Sequence, residues 1–566
     1  MIPMKGRLQP YLLASLLLVL VLIVTACAAP AGPAASDSGA AMADDGEEMA
    51  GRPLPDDAAE EQVIRYVTRN FSRMNPASEG GFGRPFVSHI WMTLFLRDYE
   101  HHPQPWLATG YDVSDDGLTY TIHIHPDAIW SDGSAVTAQD VKVYWEYAVS
   151  PECIGCRMFN YSAIKLIEGI QPVVDGEADE ISGLVAVDDK TLEITLVAPK
   201  PIIIDTLANY NTAIVKLDDI LEGGEMWAAD GTARVNGPFK VKVWDPDTQE
   251  YEVEQNPMWW GDRKPYIERI IGQASADENV SFIMWQNDEV DIAHWLTNIR
   301  EPLRADNPES FTLIPYATNF FYTLNTSLPP FDDINVRRAL VHAVDWDLAI
   351  EAAWEGARSD RVMKTHLTPE IQCYKADNWP DFGYNPELAK EELAASKYGG
   401  PEDLPKIRIT TNGQSPNYIR TAEIMMEMWK NNLGITNVEM RPGRIDAWGQ
   451  EGEEVQVLRR SSGAVIPDSG EWMNGFYQRL GDPARQINIV DEDLGALVDE
   501  MALYSSADPE YCDFVQEVES RILGHYYLLP MIWDLYEYNT KPWIVGFDTN
   551  VDNNWTSLLD MYVAKR

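Results

Sequence analysis

Residues 105–141, PWLATGYDVSDDGLTYTIHIHPDAIWSDGSAVTAQDV, decide how the chain is read. Asp115-Asp116-Gly117 supplies hairpin-turn chemistry, because glycine takes the positive φ such turns demand. Residues 118–125 alternate with the period of a half-buried strand, and Ser131-Asp132-Gly133 makes a second turn. Thr137 then caps a helix. Its hydroxyl is placed to accept an early helix amide, and Asp140 stands three residues on, as in a capping box. Strand, turn, strand, turn, helix is the pattern of a mixed α and β chain.

Working outward, 566 residues, 45% hydrophobic and 10% aromatic, provide for more than one domain and an ample core. Residues 1–27 stand apart from it. Lys5 and Arg7 form a basic start, residues 11–24 are apolar, and Val24-Thr25-Ala26-Cys27 resembles the bacterial lipobox. The apolar run is short for a bilayer span, which favours a processed signal over an uncleaved membrane helix. Cys27 is then the lipidated first residue of a mature protein, anchored at the outer face of a membrane. Residues 28–61 are small, polar and acidic without apolar periodicity, as expected of a flexible tether.

The charge balance narrows the partners. With 44 basic against 89 acidic residues, the formal net charge is −45, which argues against nucleic acid or an anionic membrane surface as partner. Four cysteines remain after Cys27, in a compartment where they can be oxidised. Cys153-Ile154-Gly155-Cys156 reads as a local loop disulfide or a redox or metal motif, and pairing of Cys373 with Cys512 stays open. No HExxH, GxSxG, phosphate-binding or dinucleotide fingerprint is present, so no catalytic residue, cofactor or metal is assigned. His123 and His125 share one strand face, which fits a solvated face better than an incomplete metal site.

Several motifs together resemble the family 5 extracytoplasmic solute-binding proteins of ABC importers. They include Pro105, Ala108, Tyr111, Asp116 to Thr121, Asp132-Gly133 and Thr137-Ala138-Gln139-Asp140-Val141, with Gln139 in place of the usual acid. Asn236-Gly237-Pro238-Phe239 and Asn256-Pro257-Met258-Trp259-Trp260-Gly261 fit as well. At residues 281–293, Asn287-Asp288 replaces a customary glycine. Residues 319–345 match again, from the aromatic run Asn319-Phe320-Phe321-Tyr322 through Pro329-Pro330-Phe331-Asp332-Asp333 to Val336-Arg337-Arg338-Ala339-Leu340.

The resemblance implies an α/β, two-lobed periplasmic-binding-protein-like fold, with an extra subdomain in the first lobe and hinge strands between lobes. Its expected division is 62–315 as first lobe, 316–530 as second, and 531–566 returning to the first. It implies a monomeric, lipid-anchored extracytoplasmic receptor that hands peptides to a permease and its ATPase, with oligosaccharides as the alternative ligand. An exported hydrolase is the rival of another class, and a sensory binding protein a third. By resemblance, Asp468 would pair with a peptide α-ammonium and Arg459 or Arg460 with its carboxylate end. Pro467-Asp468-Ser469-Gly470 is equally good turn chemistry, and the aromatic customary before the acid is absent. Trp472, Tyr477, Asn319, Phe320, Phe321 and Tyr322 complete the candidate ligand-binding set, with ordinary core packing as the alternative role for the aromatics.

Overall fold

The computed structural model describes residues 53–566 except 69–74, 79–86, 99–101, 246, 276, 295–307, 357, 380, 414, 444–453, 464, 465, 467, 481–488, 505, 507 and 548–557. The signal segment with Cys27, and most of the tether, lie outside the described residues.

The hairpin and helix expected at residues 105–141 are present. Strands Ala108–Val113 and Thr119–Ile124 pair antiparallel around a turn in which Gly117 has φ +70°. Thr191–Thr195 and Leu184–Asp188 extend them into a four-stranded sheet. Helix Ala138–Val149 starts on a complete capping box, with the Asp140 amide donating to Thr137 Oγ1 (3.2 Å) and the Thr137 amide to Asp140 Oδ2 (2.9 Å). The same carboxylate accepts Trp130 Nε1 at 3.1 Å and Lys216 Nζ at 2.5 Å, which fastens the helix start to a fully buried indole. Gln139 is exposed, so the acid it replaces is a solvated first-turn position.

A ten-stranded mixed sheet organises the rest. Its order is Val438–Arg441, Ile407–Thr410, Val457–Gly463, Phe311–Leu324, Leu528–Thr540, Ile292–His294, Val63–Thr68, Arg269–Ala274, Glu250–Gln255 and Phe239–Asp245. The two longest strands, Phe311–Leu324 and Leu528–Thr540, lie antiparallel in the middle, and their register breaks between Pro315 and Asn319. Before the break, residues 311–315 face 535–539 of the partner strand, whose far end also pairs with Ile292–His294. Beyond it, residues 319–323 face Trp533 to Leu528 on one side and the strand Val457–Gly463 on the other.

The two largest clusters of buried apolar residues divide in the same place. One cluster gathers side chains from Ile64 to Ile292 together with Ile466, Tyr538, Ile544 and Val563, and the other gathers Phe321 to Trp533. The two central strands therefore run from one core into the other.

Helix ends follow local chemistry. Asp333 caps Ile334–His342, Asn385 caps Pro386–Ala395, and Gly434, at φ +75°, closes Pro416–Leu433. Asp288, where the family's glycine was missing, sits at φ +60°, a conformation Asp tolerates better than most residues. Residues 87–96 are rich enough in apolar side chains to pass for a helix, yet they do not form one. Only the turn Val87–His89 forms there, ahead of strand Phe95–Arg97. All of residues 87–97 are buried, so there is no polar stripe to set a helical period. Their backbone groups go to neighbouring segments: Asn236 Oδ1 accepts the Met92 amide (2.8 Å) and Met92 O accepts the Ile214 amide (2.9 Å). Disulfides close Cys153–Cys156 and Cys373–Cys512.

Candidate functional site

Asp468 precedes helix Ser469–Leu480, and its Oδ1 accepts the Glu471 amide at 2.7 Å. The turn chemistry of the sequence is thereby a helix cap, and the second oxygen serves another contact. Tyr511 donates its hydroxyl to Asp468 Oδ2 at 2.7 Å and accepts the Gly470 amide at 2.8 Å. A Cβ on Gly470 would stand 2.8 Å from that hydroxyl, so the approach needs glycine. Burial pushes the Asp468 carboxyl above its usual range, opposed by the Tyr511 hydrogen bond. Burial and the facing carboxylate hold the Tyr511 phenol well above its own, so it keeps its proton and remains a donor.

These groups wall a cavity of about 80 Å³ with Glu471, Asn474 and Tyr504, and Lys200 and Asp205 line it from the other core's side. That volume suits a small charged group with a water or two, not a whole peptide.

A second polar position lies on strand Val457–Gly463. Arg459, in register with Tyr322, is 9% exposed. Its Nε donates to Thr411 O (2.9 Å) and Nη2 to Asn412 O (3.1 Å), while the guanidinium lies 4.2 Å from the Tyr418 ring centroid and 5.2 Å from that of Phe320. Its Nη1 has no hydrogen-bond partner, and no carboxylate pairs with it, among the described residues. Two backbone carbonyls and two aromatic faces hold this cation without neutralising it. Arg460 donates from Nε to Thr323 Oγ1 at 3.2 Å.

The remaining candidates surround these positions. Asn319 is buried and donates to His366 O at 2.7 Å. Phe321 packs edge-on against His366 and near Phe476, and Tyr322 donates its hydroxyl to Tyr418 O at 3.0 Å. Trp472 is buried, with Nε1 donating to Ser462 Oγ at 3.1 Å, and the half-buried Tyr477 sets its hydroxyl against Gly495. Phe320 is half-buried beside Arg459 and Tyr418. Neighbouring strands thus bring Asn319 to Tyr322 together with Arg459 and Arg460, and helix Ser469–Leu480 groups Asp468, Trp472 and Tyr477. Tyr511, Lys200 and Glu471 belong to no motif; the long-range fold alone assembles them.

His123 bonds Asp112 across the hairpin at 2.7 Å, and His125 Nδ1 accepts the Asp127 amide. No group of three acidic, His or Cys side chains suited to a metal occurs among the described residues. Nor is any described helix long and apolar enough to cross a membrane.

Comparison with known proteins sets this geometry in a family. The family model described as bacterial extracellular solute-binding proteins, family 5 Middle, matches residues 102–483. The periplasmic oligopeptide-binding protein OppA of Escherichia coli K12 is 27% identical over 540 residues, 90% of this chain and 93% of that protein. Among solved structures, the Escherichia coli murein tripeptide-binding protein MppA superposes with TM-score 0.73 at 22% identity, covering 90% of this chain and 100% of that one. Haemophilus influenzae OppA in complex with the peptide RPPGFSPFR gives TM-score 0.72 at 19% identity, with 90% and 100% coverage. The chain therefore has the mixed α/β periplasmic-binding-protein fold.

Proposed function

Since this chain belongs to the bacterial extracellular solute-binding proteins of family 5, which bind solutes extracytoplasmically without transforming them, we propose that its solute is a short peptide held between two lobes. The lobes are residues 62–315 with 531–566, and residues 316–530, hinged where the central strands change register. Cys27 carries the lipid that tethers the body, and a permease with its ATPase receives the solute.

One observation carries this reading. Asp468 faces a small cavity bounded by both cores, while Arg459, on an adjoining strand, is a buried cation without an acidic partner among the described residues. An extended peptide buried in a closed cleft brings one ammonium and one carboxylate, and each costs several kcal/mol unless compensated. Asp468 supplies the anion for the first and Arg459 the cation for the second. Ligand contacts made by both lobes at once favour the closed state, which the permease then recognises. Sugar binding is the weaker reading. No tryptophan among the described residues is exposed, so broad indole faces for stacking on sugar rings are lacking there.

Titration calorimetry with a tripeptide, its N-acetylated form and an oligosaccharide tests the proposal. The free tripeptide should bind, N-acetylation should weaken it at least about a hundredfold, and Asp468→Asn should do the same to the free peptide while barely affecting the acetylated one. Binding of the oligosaccharide alone would overturn it.

A further inference from the structure

Glu471 lies three residues into the chain beyond Asp468, and its side chain reaches away from its own core. Helix Ser469–Leu480 packs Trp472, Met473 and Phe476 into the second core. The Glu471 carboxylate instead accepts the Ser162 hydroxyl and pairs with Lys200 Nζ at 2.5 Å. Ser162 directly precedes Ala163 and Ile164, and Lys200 lies just before Ile203 and Ile204, all four in the first core. The two charged side chains are only 11% and 14% exposed, and both line the cavity that holds Asp468.

We propose that Glu471, Lys200 and Ser162 form a latch across the cleft, which makes Glu471 and Lys200 positioning residues for solute capture. The inference rests on the cleft being the solute site, and it adds which groups hold that site shut. Both contacts join one core to the other, so they exist only while the cores are together. Parting the cores returns Glu471 and Lys200 to water. Closing them strips that water and replaces it with an ion pair in a low dielectric. Desolvation and attraction nearly cancel for such a pair, so the latch biases closure modestly. Its sensitivity is much larger than its net contribution, because removing one partner leaves the other charge buried and unpaired in the closed state. A site that closes less often binds more weakly in proportion to its closed fraction. The Glu471 side chain acts without disturbing the Asp468 cap, since only its backbone amide bonds Asp468.

The full-length chain tests this with Glu471→Gln, Lys200→Gln, the double variant and Lys200→Arg. Small-angle X-ray scattering without ligand reads the opening directly, and calorimetry with a free tripeptide reads its effect on capture. Each Gln variant should raise the radius of gyration and weaken tripeptide binding about tenfold, the double variant should be no worse than either single one, and Lys200→Arg should scatter like wild type. Unchanged scattering in both single variants, or losses that add in the double variant, would overturn the latch. Should wild type bind no peptide, the peptide reading fails while the scattering comparison still decides the latch.

Discussion

Replacing Glu519 with glutamine should change how stability responds to pH by an amount the structure sets. Glu519 lies on helix Tyr511–Gly524, is completely buried, and accepts the Leu367 amide at 2.7 Å and Asn378 Nδ2 at 2.6 Å. Burial dominates those hydrogen bonds and pushes its carboxyl from 4.5 up to about 7. A carboxyl raised in the fold stays protonated after its unfolded counterpart has ionised. Its contribution is therefore fully present below pH 4.5, declines as pH rises from 4.5 to 7, and is constant above 7. Each pH step in that window costs about 1.4 kcal/mol, or about 3 kcal/mol across it. Glutamine cannot ionise, so it removes the decline while keeping an acceptor for the Leu367 amide. Urea unfolding followed by tryptophan fluorescence, at pH 4.5, 6, 7 and 8 with disulfides intact, gives the comparison. The Glu519→Gln variant should gain on wild type by about 3 kcal/mol between pH 4.5 and 7, and by nothing further at pH 8. Curves that stay parallel throughout would mean that Glu519 does not carry a raised carboxyl in the fold.

Other perturbations follow from the same contacts. Arg459→Met should weaken a peptide with a free C-terminus at least about tenfold and leave its C-terminal amide little changed, by calorimetry. The Cys373–Cys512 bond spans 139 residues, and its removal by Cys512→Ser should lower stability by about 2–5 kcal/mol in a denaturant melt. The Cys153–Cys156 bond spans only 3, and Cys156→Ser should cost clearly less in that same assay. Thr137→Ala removes one half of the capping box and should lower the melting temperature by an amount matching about 1 kcal/mol.

What the sequence made legible was local. Thr137 caps its helix through a side chain that one residue carries, so that cap is readable in isolation, and Asp333, Asn385 and Gly434 end helices by equally local means. The hairpins were readable for the same reason. Residues 87–97 were not, because full burial erases the polar face on which periodicity depends. Of the central strands only the aromatic run from Asn319 was legible, since their length comes from pairing across some two hundred residues. At the site, Asp468 and Arg459 stood out as charges in family-like positions. Tyr511, Lys200, Glu471 and Ser162 did not, because nothing in their neighbours' sequence foretells contacts such as Tyr511 with Asp468 or Lys200 with Glu471.

Two cores that enclose a peptide should return it unaltered. Native mass spectrometry on the full-length protein, incubated with a defined mixture of short peptides and oligosaccharides and then desalted, tests it most directly. The bound mass should correspond to peptides with free amino termini, and denaturing the complex should release them at their original masses. Bound sugars without peptide, or peptides released as shorter fragments, would contradict the account.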